Sequence, residues 1–151
     1  MSKYVATYAA TFVVMVALDM IWLGVVAKSF YQEGIGHLMA ERPVVSVAIA
    51  FYTLYAIGLV FFAVVPNGAV PGNGTGFSLG YGPGYGPGYG KTALYGALFG
   101  FFAYATYDLT NLATLKNWPV GLALLDMAWG TVVSAVSAVA GKVALDRFAA
   151  G

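Results

Sequence analysis

The chain has 151 residues, of which 60% are apolar, 16% aromatic and only 9% charged. A soluble domain of this size needs more charge to cover its surface, so the long apolar runs read as bilayer-spanning helices within one domain. The net charge of +1 provides no basic field for nucleic acid, and the lack of cysteine excludes disulfides, thiolate metal sites and a cysteine nucleophile.

The first apolar run covers about residues 4–27. Lys3 followed by Tyr4 to Leu18 has the outline of a signal peptide. The apolar character continues beyond Asp19 through Ile21 to Ala27, a length that spans a bilayer, so we read a retained helix. A polar connection from Lys28 to Arg42 follows and carries Glu33, His37 and Glu41. The second run, about 44–65, opens after Pro43, a residue tolerated in a first helical turn.

Residues 66–90 contain a Gly-Tyr-Gly-Pro repeat from Gly80 to Gly90. That composition suits neither helix nor strand, so it reads as a flexible loop outside the hydrocarbon. A tyrosine-rich adhesive surface is the alternative use. The third run is about 92–115. Lys116-Asn117-Trp118 then forms a tight turn into the fourth, about 119–145, which makes the last two helices antiparallel neighbours. Each run has roughly 20 residues or more, enough for roughly 30 Å of hydrocarbon. The expected fold is all-α, an integral membrane four-helix bundle.

Three aspartates, Asp19, Asp108 and Asp126, fall within these runs. An ionisable group in a spanning helix costs roughly 2.5–3.5 kcal/mol and normally faces the bundle interior. Chain direction places all three past the midplane, toward the side of the Lys28–Arg42 connection and the Lys116 turn. Each has a polar-capable neighbour three residues on, namely Trp22, Asn111 and Trp129, and such positions share a helical face. Thr106, Tyr107 and Thr110 add hydroxyls near Asp108. These groups can donate to a carboxylate. The helix centres hold no lysine or arginine, so the charges need protonation, these donors, a bound cation, or Lys28, Arg42 or Lys116 reaching in. The candidate polar layer is thus Asp19, Trp22, Thr106, Tyr107, Asp108, Thr110, Asn111, Asp126 and Trp129. His37, flanked by Glu33 and Glu41, is a weak candidate metal ligand. No sequence feature names a cofactor.

Gly96 and Gly100, extended by Ala103, and the stripe Gly130, Ser134, Ala138 and Gly141 permit close helix approach. We expect the third and fourth helices to pack through them. If they are not used within the bundle, they offer a face for a homo-oligomer or another membrane protein. Leu18-Asp19-Met20-x-Trp22 is echoed by Leu125-Asp126-Met127-x-Trp129, which we read as similar environments in an antiparallel pair. Lys3, Lys91, Lys142 and Arg147 lie on one side of the membrane, against Lys28, Arg42 and Lys116 on the other. This places both termini in the cytoplasm.

Several segments together resemble the domain-of-unknown-function 2177 family of predicted bacterial membrane proteins. They are Leu18 to Gly24, Phe30-Tyr31, Phe51-Tyr52 with Tyr55 and Gly58, Tyr104 to Leu115, Trp118, and Asp126-x-x-Trp129-Gly130. The resemblance spans nearly the whole chain, with Thr106 to Asn111 its most specific part. The repetitive loop departs from it by its length. It implies four spans, a bacterial inner membrane and a membrane-lipid setting, and supplies no catalytic roles. Three functions fit this reading. One is a module binding or transporting a cation, proton or polar lipid headgroup. Another is a lipid-modifying enzyme with an aspartate as general base. The third is a non-catalytic subunit of a membrane complex.

Overall fold

The computed structural model describes residues 2–67 and 88–149. The Gly-Tyr-Gly-Pro repeat falls almost wholly outside them, although Tyr89 and Gly90 belong to a helix. Helix α1, Ser2–Ile21, continues into a π-helical turn at Trp22–Val26. Helix α2 is Lys28–Ile35, followed by a 3-10 turn at Gly36–Leu38. Helix α3, Val45–Leu59, runs on through a π turn, Val60–Val64, and a 3-10 turn, Val65–Asn67. Helices α4, Tyr89–Thr114, and α5, Val120–Ala149, complete the described chain.

The surface is apolar. Val13, Val25, Leu54, Phe61, Phe102 and Leu124 are among many large hydrophobic side chains left more than half exposed. The interior instead holds small and hydroxylated groups such as Thr7, Thr11, Ala63, Ser134, Ser137 and Ala138. In water this distribution would forfeit most of the burial that drives folding. In lipid it is expected, because large side chains solvate well in acyl chains and small ones let helices approach. Among the described residues three helices are long and apolar enough to cross a membrane: Lys3–Val26, Val45–Asn67 and Val120–Phe148. Helix α4 has 26 residues, but Asp108, Asn111 and its tyrosines and threonines keep it less apolar. The protein is an all-α membrane bundle.

Helix α5 is the hub. It packs along α4 and α1 and meets the π turn of α3. Against α4 the contact is as close as backbones allow. A Cβ on Gly96 would sit 2.8 Å from both the Ala138 Cβ and the Ser134 carbonyl oxygen. One on Gly100 would overlap the Gly130 carbonyl oxygen and the Ser134 side chain. The small-residue stripes are therefore used inside the bundle. The turn between these helices places Asn117 at φ 61°, a left-handed conformation that asparagine tolerates.

Helix α3 is held differently. Its π turn reaches α4 and α5, while α3 itself packs on α1. Aromatic side chains span the gap to α4: the Tyr55 ring meets Phe99 and Tyr104 edge-on at 5.2 and 6.3 Å. The two helices thus stay apart at the level of Tyr55 and Phe51.

The connection between the first two spans is not simply a polar loop. Ile35 of α2 packs with Trp118, Leu122 and Ala123, and this docks α2 against the start of α5. The same packing holds Tyr31 over the bundle end.

Candidate functional site

Asp19 and Asp126 lie on antiparallel helices, each with a tryptophan three residues later. The antiparallel register decides what those tryptophans touch. Asp19 is brought opposite Trp129, and the Trp129 indole N–H donates to the Asp19 carboxylate at 2.7 Å. Trp22 and Trp129 stack nearly parallel, with centroids 4.3 Å apart and planes at 2°. Such a pair is worth about 0.5–1.5 kcal/mol beyond its buried area. The π-helical turn begins at Trp22, where Ala27 N–H donates to the Trp22 carbonyl over five residues at 2.8 Å. The repeated Asp-x-x-Trp segments therefore form a local pseudo-two-fold pair.

The expectation that each aspartate takes a donor three residues along its own helix is corrected here. Trp129 bonds Asp19 rather than Asp126, and the Trp22 indole nitrogen has no acceptor. The donor to Asp126 is the Tyr31 hydroxyl from α2. Tyr31 lies outside the spanning segments, and its phenol is held well above its ordinary range, chiefly by burial and then by Asp126. The sequence marks Tyr31 only as part of a segment carrying the family resemblance. Tyr52, from α3, lies close enough to Asp19 to interact with its carboxylate.

Asp19 and Asp126, 5% and 3% exposed, line one cavity of about 450 Å³ enclosed by all the long helices. Its remaining walls are mostly aromatic, with Trp22, Trp129, Tyr31, Tyr52 and Tyr104 prominent. Among the described residues no lysine, arginine or histidine lines it. Tyr107 also reaches it and is half exposed at its edge.

Asp108 stands apart. It is fully buried but does not line the cavity, and neither carboxylate oxygen has a hydrogen bond. The Trp118 indole lies beside Asp108 and among the described residues also lacks a partner, so the two face each other without closing a bond. Asn111 supplies no hydrogen bond to Asp108 either. Asp108 does lie close enough to Asp126 and Tyr31 to interact electrostatically, and Asp126 to Asp19. The three carboxylates therefore occupy one end of the bundle, two in a shared cavity and one behind it.

Thr106 and Thr110 do not surround Asp108. Both are exposed and donate to carbonyls of their own helix, Thr106 to Phe102 at 2.7 Å and Thr110 to Tyr107 at 2.9 Å. Residues two apart in a helix differ by about 200° in direction, so Thr106 and Thr110 point away from the face of Asp108. That phase was readable from spacing alone. His37 is exposed in the 3-10 turn, and among the described residues no group of three His, Cys, Asp or Glu side chains could hold a metal ion. Lys28, Arg42 and Lys116 make no ion pair with the aspartates; the pair found among the described residues is Lys142 with Asp146.

Apolar helices packed through small residues around a buried carboxylate cavity define an integral membrane protein of the polytopic helical class. The chain belongs to the predicted membrane protein family DUF2177, whose model matches residues 4–86 and 77–143. No curated protein and no solved structure matches the chain.

Proposed function

We propose that the protein is a membrane-embedded binding module whose Asp19–Asp126 cavity holds a cationic group. The observation that carries this reading is the pairing of two buried carboxylates in one cavity that no cationic side chain lines among the described residues. Buried charge needs a counter-charge or hydrogen bonds to be tolerable. Each carboxylate takes one hydrogen bond from the protein, from Trp129 and from Tyr31. A cation between them supplies what the fold does not.

Binding fits better than passage. Beyond the cavity the α1–α5 contact tightens, and a Cβ on Gly141 would overlap the Thr11 hydroxyl. The buried hydroxyls there are committed to their own helices, Thr11 to the Thr7 carbonyl at 2.9 Å and Ser137 to that of Val133 at 2.7 Å. The protons of these hydroxyls are thus held within their own helices along that contact.

Thermal unfolding of the detergent-solubilised chain against sodium, potassium, calcium and tetramethylammonium chlorides tests this reading. At least one cation should stabilise it saturably. Asp19→Asn and Asp126→Asn should fold yet lose the response, and Asp108→Asn, outside the cavity, should keep it. A chain indifferent to every cation, or an Asp19→Asn response equal to that of the parent, defeats the proposal.

A second reading is that the aspartates are interhelical clamps, since Asp19–Trp129 ties α1 to α5 and Tyr31–Asp126 ties α2 to α5. Hydrogen bonds of this kind average roughly 0.6 kcal/mol in a membrane. If all three asparagine variants fail to yield folded protein in detergent, the clamp reading wins.

We further propose that α4 crosses the membrane as a fourth span beside α5, its 26 residues reaching about 39 Å at 1.5 Å each. In a bacterial inner membrane, both termini would then lie in the cytoplasm, on the side of Lys3, Lys91, Lys142 and Arg147. Lys142 is buried and paired with Asp146, so the margin over Lys28, Arg42 and Lys116 narrows. A C-terminal reporter active only in the cytoplasm should be active, and the periplasm-specific one silent; the reverse pattern refutes the orientation.

A further inference from the structure

We propose that the cavity is a box for an organic ammonium group, borne either by a lipid headgroup or by a free amine, rather than for an inorganic cation. This rests on the reading that the cavity holds a cation and adds its chemical class.

Size is the first argument. Calcium stripped of water takes about six to eight oxygen ligands at roughly 2.3–2.6 Å, and magnesium demands about six at roughly 2.0–2.1 Å. The cavity offers two carboxylates and a few phenols around about 450 Å³, space for a small organic molecule. No three-ligand metal cluster exists among the described residues.

The walls are the second. Eight of the twelve lining residues are aromatic, and they come from the π turn after α1 and from α2, α3, α4 and α5. Aromatic faces attract a diffuse cation through the ring quadrupole, which is how quaternary ammonium groups are recognised, and the attraction grows when water is excluded. The stacked Trp22–Trp129 pair supplies a flat wall beside Asp19. Tyr52 and Tyr104 face it from α3 and α4. The carboxylates provide charge, and the rings provide a surface suited to methyl or methylene groups that a hydrated metal ion could not use.

The opening is the third. Phe51 and Tyr107 line the cavity and are also 47% and 52% exposed, so the cavity reaches the outer surface between α3 and α4. That outer surface is apolar, the side that faces lipid. A headgroup can enter there while its chains stay in the bilayer, and a small amine can use the same door.

The test uses the full chain in dodecyl maltoside and follows tryptophan fluorescence, since two of its three tryptophans line the cavity. Choline, tetramethylammonium and short-chain phosphatidylcholine below its micelle concentration are titrated against potassium chloride and short-chain phosphatidylglycerol. The ammonium compounds should give a saturable change that potassium and phosphatidylglycerol do not. Tyr107→Leu and Trp22→Leu should each weaken binding about tenfold, the loss of one aromatic face. Tighter binding of phosphatidylcholine than of choline assigns the lipid source; equal or weaker binding assigns the free amine. No saturable response to any ammonium compound, or affinities unchanged in both aromatic variants, overturns the proposal. In that event, a response to potassium, sodium or calcium in the unfolding experiment leaves the cation reading standing, whereas silence to every cation removes both.

Discussion

Gly100→Ala should separate α4 from α5 and sharply lower the melting temperature of the detergent-solubilised protein. The added Cβ would overlap the Gly130 carbonyl oxygen and the Ser134 side chain. The first of these is backbone in the middle of a helix and cannot rotate away. Overpacking a close contact costs typically about 1–3 kcal/mol. Here relief requires moving whole helices, so the upper half of that range is expected. The paired control is Gly121→Ala, where an added Cβ meets nothing within 4 Å. There alanine removes backbone freedom from the unfolded chain and gains helix propensity, so stability should hold or rise by up to about 1 kcal/mol. Equal melting temperatures for the two variants would show that the helices do not meet through Gly100.

Asp146→Leu should be nearly as damaging, and Lys142→Met should rescue it. Lys142 is 3% exposed and lies 3.0 Å from the Asp146 carboxylate, with its ammonium 5.2 Å from the centre of the Tyr89 ring. Removing the carboxylate leaves a buried ammonium with only a ring for company. Breaking a buried pair costs roughly 3–5 kcal/mol because an uncompensated charge remains, whereas replacing both partners with apolar groups is often neutral. Lysine near a helix end can carry its charge outward along a flexible stem, which trims the single variant's loss to about 2 kcal/mol. The Lys142→Met, Asp146→Leu double variant should recover most of it. A double variant no more stable than Asp146→Leu would mean that the lysine was never confined. The pair lies about 24–30 Å along α5 from Asp126, at 1.5 Å per residue, so neither change should alter the cavity.

Composition and spacing carried a good deal of this. Runs of apolar residues make helices in lipid regardless of their neighbours, because every backbone polar group must be satisfied within its own segment. Gly96, Gly100 and the Gly130 stripe are legible for a similar reason: a missing side chain at four-residue spacing defines a groove before any partner is known. The placement of Thr106 and Thr110 away from Asp108 was also available, since helical phase depends on spacing alone. The Lys142–Asp146 pair follows the same rule at four residues.

What the sequence determined, then, was local to the apolar helices: which segments are apolar enough to form them, which face is small, and that burying Asp19, Asp108 and Asp126 has a cost. The tertiary structure decided what meets what. Antiparallel register, not position along the chain, puts Trp129 on Asp19 and stacks it on Trp22. The docking of α2 through Ile35 brings Tyr31 to Asp126 across 95 positions of sequence. Asp108 is left outside the cavity by the rotation of α4, although its own segment looked the most polar. Intrahelical spacing is set by about 3.6 residues per turn, but the contact between two helices depends on how their surfaces slide and rotate until they fit. A cavity exists only as what that fit leaves unfilled.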